Sequence, residues 1–175
     1  MNKKIIAALA FAAHKHRDQR RKDVAGSPYI NHPIALTHVL VNEAGVDDER
    51  VLIAAILHDT IEDTETTEQE LVDEFGREIA GIVMEVSDDK TLDKDERKRL
   101  QIEHAAHISH CAKLVKLADK ICNLRDMAAA PPAGWSRRRK QEYFDWAKAV
   151  IDQLRGAHPV LEQIFDEAYT LRPLD

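Results

Sequence analysis

The sequence has few of the residues that build disulfide-rich, turn-rich or membrane-spanning proteins. Only two cysteines occur among 175 residues, Cys111 and Cys122, and they form no pair with the spacing of a disulfide framework or a zinc knuckle. Glycine and proline number six each and lie between periodic segments, which disfavours a turn-rich β protein. No apolar run reaches the roughly 18 residues of a membrane span. We therefore predict a cytoplasmic protein with no membrane partner.

The charge balance argues against a second class of partner. Lysine and arginine total 25 and aspartate and glutamate 31, a formal net charge of −6. Binding to a nucleic-acid backbone needs a basic surface that releases counterions, so we expect no nucleic-acid partner. Three basic clusters, at residues 20–22, 97–99 and 137–140, stand out against this background. Each could face a small polyanion or form a solvated helix face.

The apolar residues recur at helical spacing along the whole chain, and no alternating strand pattern is present. This predicts an all-α protein, a single domain over residues 1–175 folded as a bundle of about eight to nine helices. We expect the first helix to start after its N-cap Asn2 and to end near Arg20, and Asp47 to cap the third. Further helices are predicted at residues 33–45, 67–76, 77–86, 94–110, 113–125 and 136–154, and Pro159 is predicted to open the last helix. Thr67 and Ser136 are the expected caps of the helices that they begin.

The stretch at residues 51–64 joins seven apolar residues to four ionisable ones, His58, Asp59, Glu62 and Asp63. On a continuous helix these four side chains would project from one side. Ionised groups at the end of an apolar helix are costly unless they are paired or bound to a cation. The stretch therefore predicts either a metal or acid–base site, or a capped helix end whose acids are solvated.

Two other segments offer polar groups that could join this cluster. His32 precedes Pro33, and a residue in that position is pushed out of helical geometry. We therefore expect His32 to be extended at a helix entrance, as a fixed ligand or as a capping or core histidine. Asp119 and Asn123 lie one helical turn apart. They could face one site together or form an outward polar pair.

Two histidines and two aspartates, His32, His58, Asp59 and Asp119, would form a mixed nitrogen and oxygen ligand set with open positions, which suits manganese, iron or zinc. In this pattern the chain resembles the HD-type metal phosphohydrolases, and within them the small alarmone hydrolases of the metazoan SpoT-homologue type. Five motifs carry the resemblance in order: HKHRDQRRK at 14–22, PYINHP at 28–33, LHDTIEDT at 57–64, VSDDK at 86–90 and KLVKLADKICNLR at 113–125.

The resemblance implies a manganese-dependent enzyme of the stringent response. It would remove the 3′-pyrophosphate of guanosine tetra- or pentaphosphate, giving GDP or GTP and pyrophosphate. The four ligands would hold one Mn²⁺, with Zn²⁺ or Fe²⁺ as alternatives, and Glu62 with Asp63 would orient or deprotonate the attacking water. The implied substrate contacts are Arg21 and Lys22 beside the base, Asn123 at the nucleoside, and Lys94, Arg139 and Tyr143 near the phosphates. No synthetase or regulatory domain is expected.

Two alternatives to this activity remain open. One is another nucleotide phosphohydrolase of the same chemistry, notably removal of the 2′-phosphate of NADPH. The other is a non-catalytic module that binds a nucleotide or a partner. The acid pair Glu62 and Asp63 speaks against the second alternative, because a binding module has no physical need for two costly carboxylates beside a metal.

Overall fold

The computed structural model describes residues 3–174, and all regular secondary structure in that range is helical. The α-helices are α1 (Lys3–Lys15), α2 (Asn31–His38), α3 (Glu49–Leu57), α4 (Thr60–Asp63), α5 (Glu68–Phe75), α6 (Arg77–Val86), α7 (Lys94–Ala105), α8 (His110–Ala129), α9 (Arg137–Asp152) and α10 (Pro159–Tyr169). A π-helical turn, Val39–Glu43, continues α2. The all-α prediction is confirmed. No helix within the described range is long and apolar enough to cross a membrane.

Helix α3 lies at the centre of the bundle because its residues 51–57 are apolar on every side, and all seven are buried. Helices α1, α2, α6 and α8 pack around it. The second long axis of the core is α8, of 20 residues, which also contacts α2, α6, α9 and α10. The C-terminal end of α3 and the middle of α8 bring the predicted metal ligands of both helices together.

The stretch at 51–64 is not the continuous helix that we predicted. Helix α3 ends at Leu57, Asp59 has φ −99° and ψ 0°, and α4 starts at Thr60. The Thr60 hydroxyl donates to the Leu57 carbonyl at 2.7 Å, so a side chain satisfies a carbonyl at the break. No glycine or proline lies at this position, so the sequence contains no residue that would predict a helix break there. His58 and Asp59 therefore lie in the break itself.

Other helix boundaries also differ from expectation. Helix α1 ends at Lys15, five residues before the predicted Arg20, and its predicted N-cap Asn2 lies outside the described residues. The N-cap of α3 is Asp48 instead of Asp47, since the Asp48 carboxylate accepts from the backbone N–H of Arg50.

Helix α7 ends at Ala105, although we had extended it to residue 110. Ser109 is the reason, because its hydroxyl accepts from the backbone N–H of Ala112 and so caps a new helix, α8. Two expected caps are present: Thr67 accepts from the N–H of Glu70, and Ser136 accepts from the N–H of Arg139.

Candidate metal centre

His58 lies in the break between α3 and α4 and is 5% exposed. Its Nδ1 is 2.8 Å from the carbonyl oxygen of Ala55, which fixes Nδ1–H as the donor. Its Nε2 is buried, forms no hydrogen bond within residues 3–174, and lies 2.8 Å from Oδ2 of Asp59. Buried polar atoms normally have a partner. This nitrogen is therefore free to carry a proton or to bind a metal.

His32 lies in the first turn of α2, whereas we expected it to be extended ahead of Pro33. The chain already curls at this point, since the N–H of His32 donates to the carbonyl of Tyr29 at 3.0 Å. Pro33 thus falls in the first turn of the helix, where a missing N–H costs nothing. The His32 side chain is buried, and its ring centroid is 5.3 Å from that of His58.

Four side chains from three parts of the chain meet at this point. Potential donor atoms of His32, His58 and Asp59 all lie within 4.8 Å of one another. Asp119 of α8 is adjacent, with its Oδ1 3.2 Å from Nε2 of His32 and 3.9 Å from Nε2 of His58. Imidazole nitrogens with carboxylate oxygens, and an imidazole nitrogen without a hydrogen-bond partner, fit a divalent cation. The structure thus brings the four predicted ligands together.

The cluster is electrostatically suited to positive charge. Burial raises the pKa of Asp59, but the His58 imidazole outweighs burial and holds this pKa well below its ordinary value. Burial likewise raises the pKa of Asp119, and Lys120 together with His32 lowers it further than burial raises it. For His58, burial lowers the pKa, yet the Asp59 carboxylate raises it to about 9. A cation bound at the cluster would replace the proton on His58 as the positive charge that balances the carboxylates.

Asp119 has two further partners on its own helix. The Asn123 amide donates to Oδ1 at 2.7 Å, and the Lys120 ammonium donates to Oδ2 at 3.1 Å. Asp119 and Asn123 therefore form the inward-facing pair of the two arrangements left open by their spacing. Lys120 is 4% exposed. The sequence did not single out this lysine, because one more basic residue on a helix gives no sign that it is buried.

Tyr29 is a second residue that sequence reasoning missed. Its hydroxyl donates to Oδ2 of Asp59 in a short hydrogen bond. Burial and the Asp59 charge both raise the pKa of Tyr29, so it stays a donor. The residue lies in the PYINHP motif, but nothing in that motif shows where its hydroxyl points. In the fold it fixes the orientation of Asp59.

Glu62 lies on α4, on the far side of the break from His58. Its Oε2 accepts from the backbone N–H of Asp88 at 3.1 Å, and its Oε1 is 3.9 Å from Nη1 of Arg97. Burial and the negative charge of Asp59 raise the pKa of Glu62 to about 7. This carboxyl group can therefore accept a proton near neutral pH.

Asp63, the neighbour of Glu62, has a different environment. The Gln19 amide donates to its Oδ2 at 2.8 Å, and Lys90 forms a close ion pair with its Oδ1. Both carboxylates of the pair have partners from other parts of the chain.

The two basic residues predicted beside a nucleotide base lie in the loop after α1. The Arg21 guanidinium pairs with Asp126 at 2.6 Å and lies 5.7 Å from the ring centroid of Tyr29. Lys22 is exposed and forms no ion pair within the described residues. Arg21 thus approaches the metal cluster, because it contacts Tyr29, which bonds Asp59. No contact between Lys22 and the other predicted site residues is present within the described residues.

The three residues predicted near the phosphates line one cleft of about 350 Å³. Trp135, which the sequence did not mark, lies among them: its ring centroid is 4.1 Å from Cζ of Arg139, 5.9 Å from Nζ of Lys94 and 5.9 Å from the ring of Tyr143. We call this the cationic cleft.

The cationic cleft is linked to the metal cluster by one aromatic residue, Trp146. The Tyr143 ring lies 5.5 Å from the Trp146 ring, and Nζ of Lys120 lies 4.4 Å from the same ring. Lys120 in turn contacts Asp119. Trp146 and Lys120 therefore form a chain of contacts between the cleft and the ligand cluster.

With this geometry in place, the chain can be compared with known proteins. The family model described as HD domain matches residues 8–147. This match covers most of the 175 residues, and the chain belongs to the HD-domain family. The His58-Asp59 pair in the break after α3 lies within the matched range.

The relatives narrow this class. The chain is 54% identical over 165 residues to the guanosine-3′,5′-bis(diphosphate) 3′-pyrophosphohydrolase MESH1 of Xenopus tropicalis, covering 94% of this chain and 92% of that protein. MESH1 of Homo sapiens is 54% identical over 170 residues, covering 97% and 95%. A solved structure of a metazoan ortholog of SpoT, reported to hydrolyze ppGpp and to play a role in starvation responses, matches with a TM-score of 0.95 and 49% identity, covering 100% of this chain and 98% of that chain. Within the HD-domain family the chain therefore groups with the metazoan SpoT homologues, as predicted.

Proposed function

We propose that this protein is a manganese-dependent hydrolase that removes the 3′-pyrophosphate from ppGpp or pppGpp and releases GDP or GTP with pyrophosphate. The observation that carries the proposal is the buried cluster of His32, His58, Asp59 and Asp119 with Glu62 on the adjoining short helix. The identity to MESH1 over nearly the whole chain supports the choice of substrate.

The four ligands would hold one divalent cation. When bound, such a cation acidifies water and offsets the charge that develops on phosphoryl oxygens. Imidazole and carboxylate donors without a thiolate suit manganese, iron or zinc, and our choice of manganese among them follows the resemblance to the small alarmone hydrolases. Tyr29 and Asn123 keep the Asp59 and Asp119 carboxylates oriented through the hydrogen bonds described above.

Glu62 is the group that we assign to proton removal from the attacking water. Its raised pKa matches a general base that works near neutrality. Asp63, held by Gln19 and Lys90, places a second carboxylate beside it and would help to orient the water. Glu62 and Asp63 are held by different groups, and we therefore assign them different roles.

The substrate would extend from the cluster into the cationic cleft. Lys94 and Arg139 would neutralise phosphate oxygens, and Tyr143 would donate to one of them. Arg21 and Lys22 would contact the base, since a planar guanidinium can stack on a purine. Asn123, beside Asp119, would contact the nucleoside.

The decisive experiment supplies ppGpp and NADPH in parallel to the purified protein with Mn²⁺ and identifies the released ion. Cleavage of ppGpp at the 3′-oxygen yields pyrophosphate, while the same site acting on NADPH can release only orthophosphate. We expect a large preference for ppGpp in kcat/KM. Comparable values for the two substrates would overturn the substrate assignment, and no turnover of either with Mn²⁺ bound would overturn the assignment as an enzyme.

A further inference from the structure

The two oxygens of Glu62 are not held by α4 itself. This helix has four residues and follows a break, and its Glu62 side chain is 18% exposed. One oxygen accepts from the Asp88 N–H, and the other faces Arg97 at 3.9 Å. Asp88 lies in the loop between α6 and α7, and Arg97 lies on α7. The carboxylate is therefore placed by an element distant in sequence.

The loop that carries Asp88 is in turn attached to α7. The Gln101 amide donates to Oδ2 of Asp88 at 2.6 Å, and this contact is partly buried. Arg97 and Gln101 are one helical turn apart, so both side chains leave the same face of α7. Side chains of this face contact Glu62 in two ways. Arg97 faces its carboxylate directly, and Gln101 bonds Asp88, whose N–H donates to it.

Helix α7 has its own anchor to the bundle. The Trp146 indole N–H donates to the carbonyl of Lys98 at 3.1 Å, which ties α7 to α9. The opposite side of α7 is exposed, where Arg99 pairs with Glu96 and Glu103. One face of α7 therefore contacts Glu62 and Asp88, and the opposite face is exposed.

A cavity beside α7 contains polar atoms without a hydrogen-bond partner within residues 3–174. Nε of Arg97 and Oε1 of Gln101 are buried and form no hydrogen bond within residues 3–174. Both residues line a cavity of about 250 Å³ together with Asp88 and the buried Lys116. A polar cavity of this size has room for ordered water that would complete the network. These side chains are therefore placed for polar contacts, not for apolar packing.

We propose that Arg97 and Gln101 are positioning residues for Glu62. Gln101 fixes the Asp88 loop whose N–H holds one Glu62 oxygen, and Arg97 restrains the other. The inference rests on the proposed function, in which Glu62 takes a proton from the attacking water. A base that is misplaced by a fraction of an ångström loses rate without losing substrate affinity. The network should therefore affect kcat and leave KM and metal affinity unchanged.

The test is a double-mutant cycle between Gln101→Leu and Glu62→Gln, with ppGpp as substrate and Mn²⁺ as the metal. We expect Gln101→Leu to lower kcat by about 10- to 100-fold, with KM and Mn²⁺ affinity within about twofold of wild type. In the Glu62→Gln background the same change should lower kcat by less than about twofold, since the group it positions has already been removed. Arg97→Met should behave in the same way, and Arg97→Lys should recover part of the loss because it restores the cation.

Two variants control for general effects of these substitutions. Gln163→Leu removes an exposed amide that pairs with Glu167 on α10, and Arg99→Met removes the outward-facing arginine of α7. Both should leave kcat within about twofold of wild type. A full loss from Gln101→Leu in the Glu62→Gln background, or a loss confined to KM or Mn²⁺ affinity, would overturn the proposal.

A readout that needs no activity separates this inference from the proposed function. The urea midpoints of wild type, Gln101→Leu, Glu62→Ala and the double variant, measured without metal, should shift non-additively if Gln101 acts on Glu62, because alanine removes the oxygen that accepts from the Asp88 N–H. Additive midpoints in a protein that hydrolyses ppGpp would refute the positioning network alone. If the midpoints are non-additive but wild type hydrolyses no ppGpp, the proposed function is refuted, and with it the catalytic part of this inference.

Discussion

The metal-ligand cluster and the cationic cleft both collect charge, but they are built in opposite ways. In the cluster each side chain is buried or nearly so and is held by another, as Tyr29 holds Asp59. In the cleft Lys94 and Arg139 are exposed, and their cations lie over the Trp135 ring without an ion pair in the described part of the chain. Buried charges must be satisfied for the chain to fold, whereas exposed cations can adjust to a ligand. We therefore expect abrupt losses from changes in the cluster and graded losses from changes in the cleft.

The largest effect should come from Asp59→Ala. This change removes a predicted ligand and leaves the Tyr29 hydroxyl and the His58 imidazole without their partner. Calorimetry with Mn²⁺ should show no measurable binding, and ppGpp hydrolysis should fall to background. Asp73→Ala, which removes an exposed carboxylate of α5, serves as the control. Retained stoichiometric Mn²⁺ binding in the Asp59 variant would show that Asp59 is not needed as a ligand.

Within the cluster region, Glu62→Gln should separate chemistry from metal binding. The amide can still accept the hydrogen bond from Asp88 but cannot take a proton from water. We expect kcat to fall by about 100-fold or more while Mn²⁺ affinity stays within about threefold. Glu65→Gln, an exposed neighbour three residues on, should be close to wild type. Equal loss of metal in the Glu62 variant would make Glu62 a ligand and end its assignment as a base.

The same contrast explains which features could be read from the sequence. The first half of the stretch at residues 51–64, residues 51–57, is apolar throughout, and such a run predicts a buried helix. The helix break at His58 could not be predicted, because it depends on the Thr60 hydroxyl and on packing against α2 and α8 rather than on a glycine or proline. The types of the four predicted ligands were visible in the sequence, whereas their convergence was predicted through the resemblance to the HD-type phosphohydrolases and not through spacing alone.

The partners of the site residues were the least predictable part. Tyr29 and Lys120 contact the predicted ligands Asp59 and Asp119, 30 and 1 positions away. Gln101 contacts Asp88, 13 positions away, whose N–H in turn holds Glu62. No spacing rule encodes these hydrogen bonds. Their chemistry is ordinary for an exposed loop or helix face. Only the fold shows that these groups point inward, so sequence reasoning found the acids and ligands before the residues that orient them.

Changes in the cationic cleft test the graded half of the comparison. Lys94→Ala and Arg139→Ala should each raise KM for ppGpp by about 3- to 10-fold with little change in kcat, because a charged hydrogen bond to phosphate is lost from an exposed site. Raising the salt concentration should increase KM for wild type more than for either variant. Arg137→Ala, which removes an exposed arginine on the same helix as Arg139, is the control. A 100-fold loss of kcat from either cleft variant would place that residue in the chemistry and remove the distinction between the two regions.

The last prediction concerns stability and the Glu62 carboxyl group beside the metal-ligand cluster. In the metal-free protein, burial and the Asp59 charge raise the pKa of Glu62 from 4.5 to about 7, so the folded state holds this proton more tightly than the unfolded state does. Since the folded state binds more protons between these values, the contribution of Glu62 to the free energy of unfolding must fall as the pH rises from about 4.5 to 7. Glu62→Gln removes this dependence. Urea unfolding of both proteins without metal should show nearly equal stability at pH 5, and at pH 8 the variant should be more stable by about 2 kcal/mol. If wild type instead gains stability relative to the variant between pH 5 and pH 8, the contacts of the Glu62 carboxylate with Asp88 and Arg97 outweigh burial and the Asp59 charge, and the pKa of Glu62 is not raised in the folded protein.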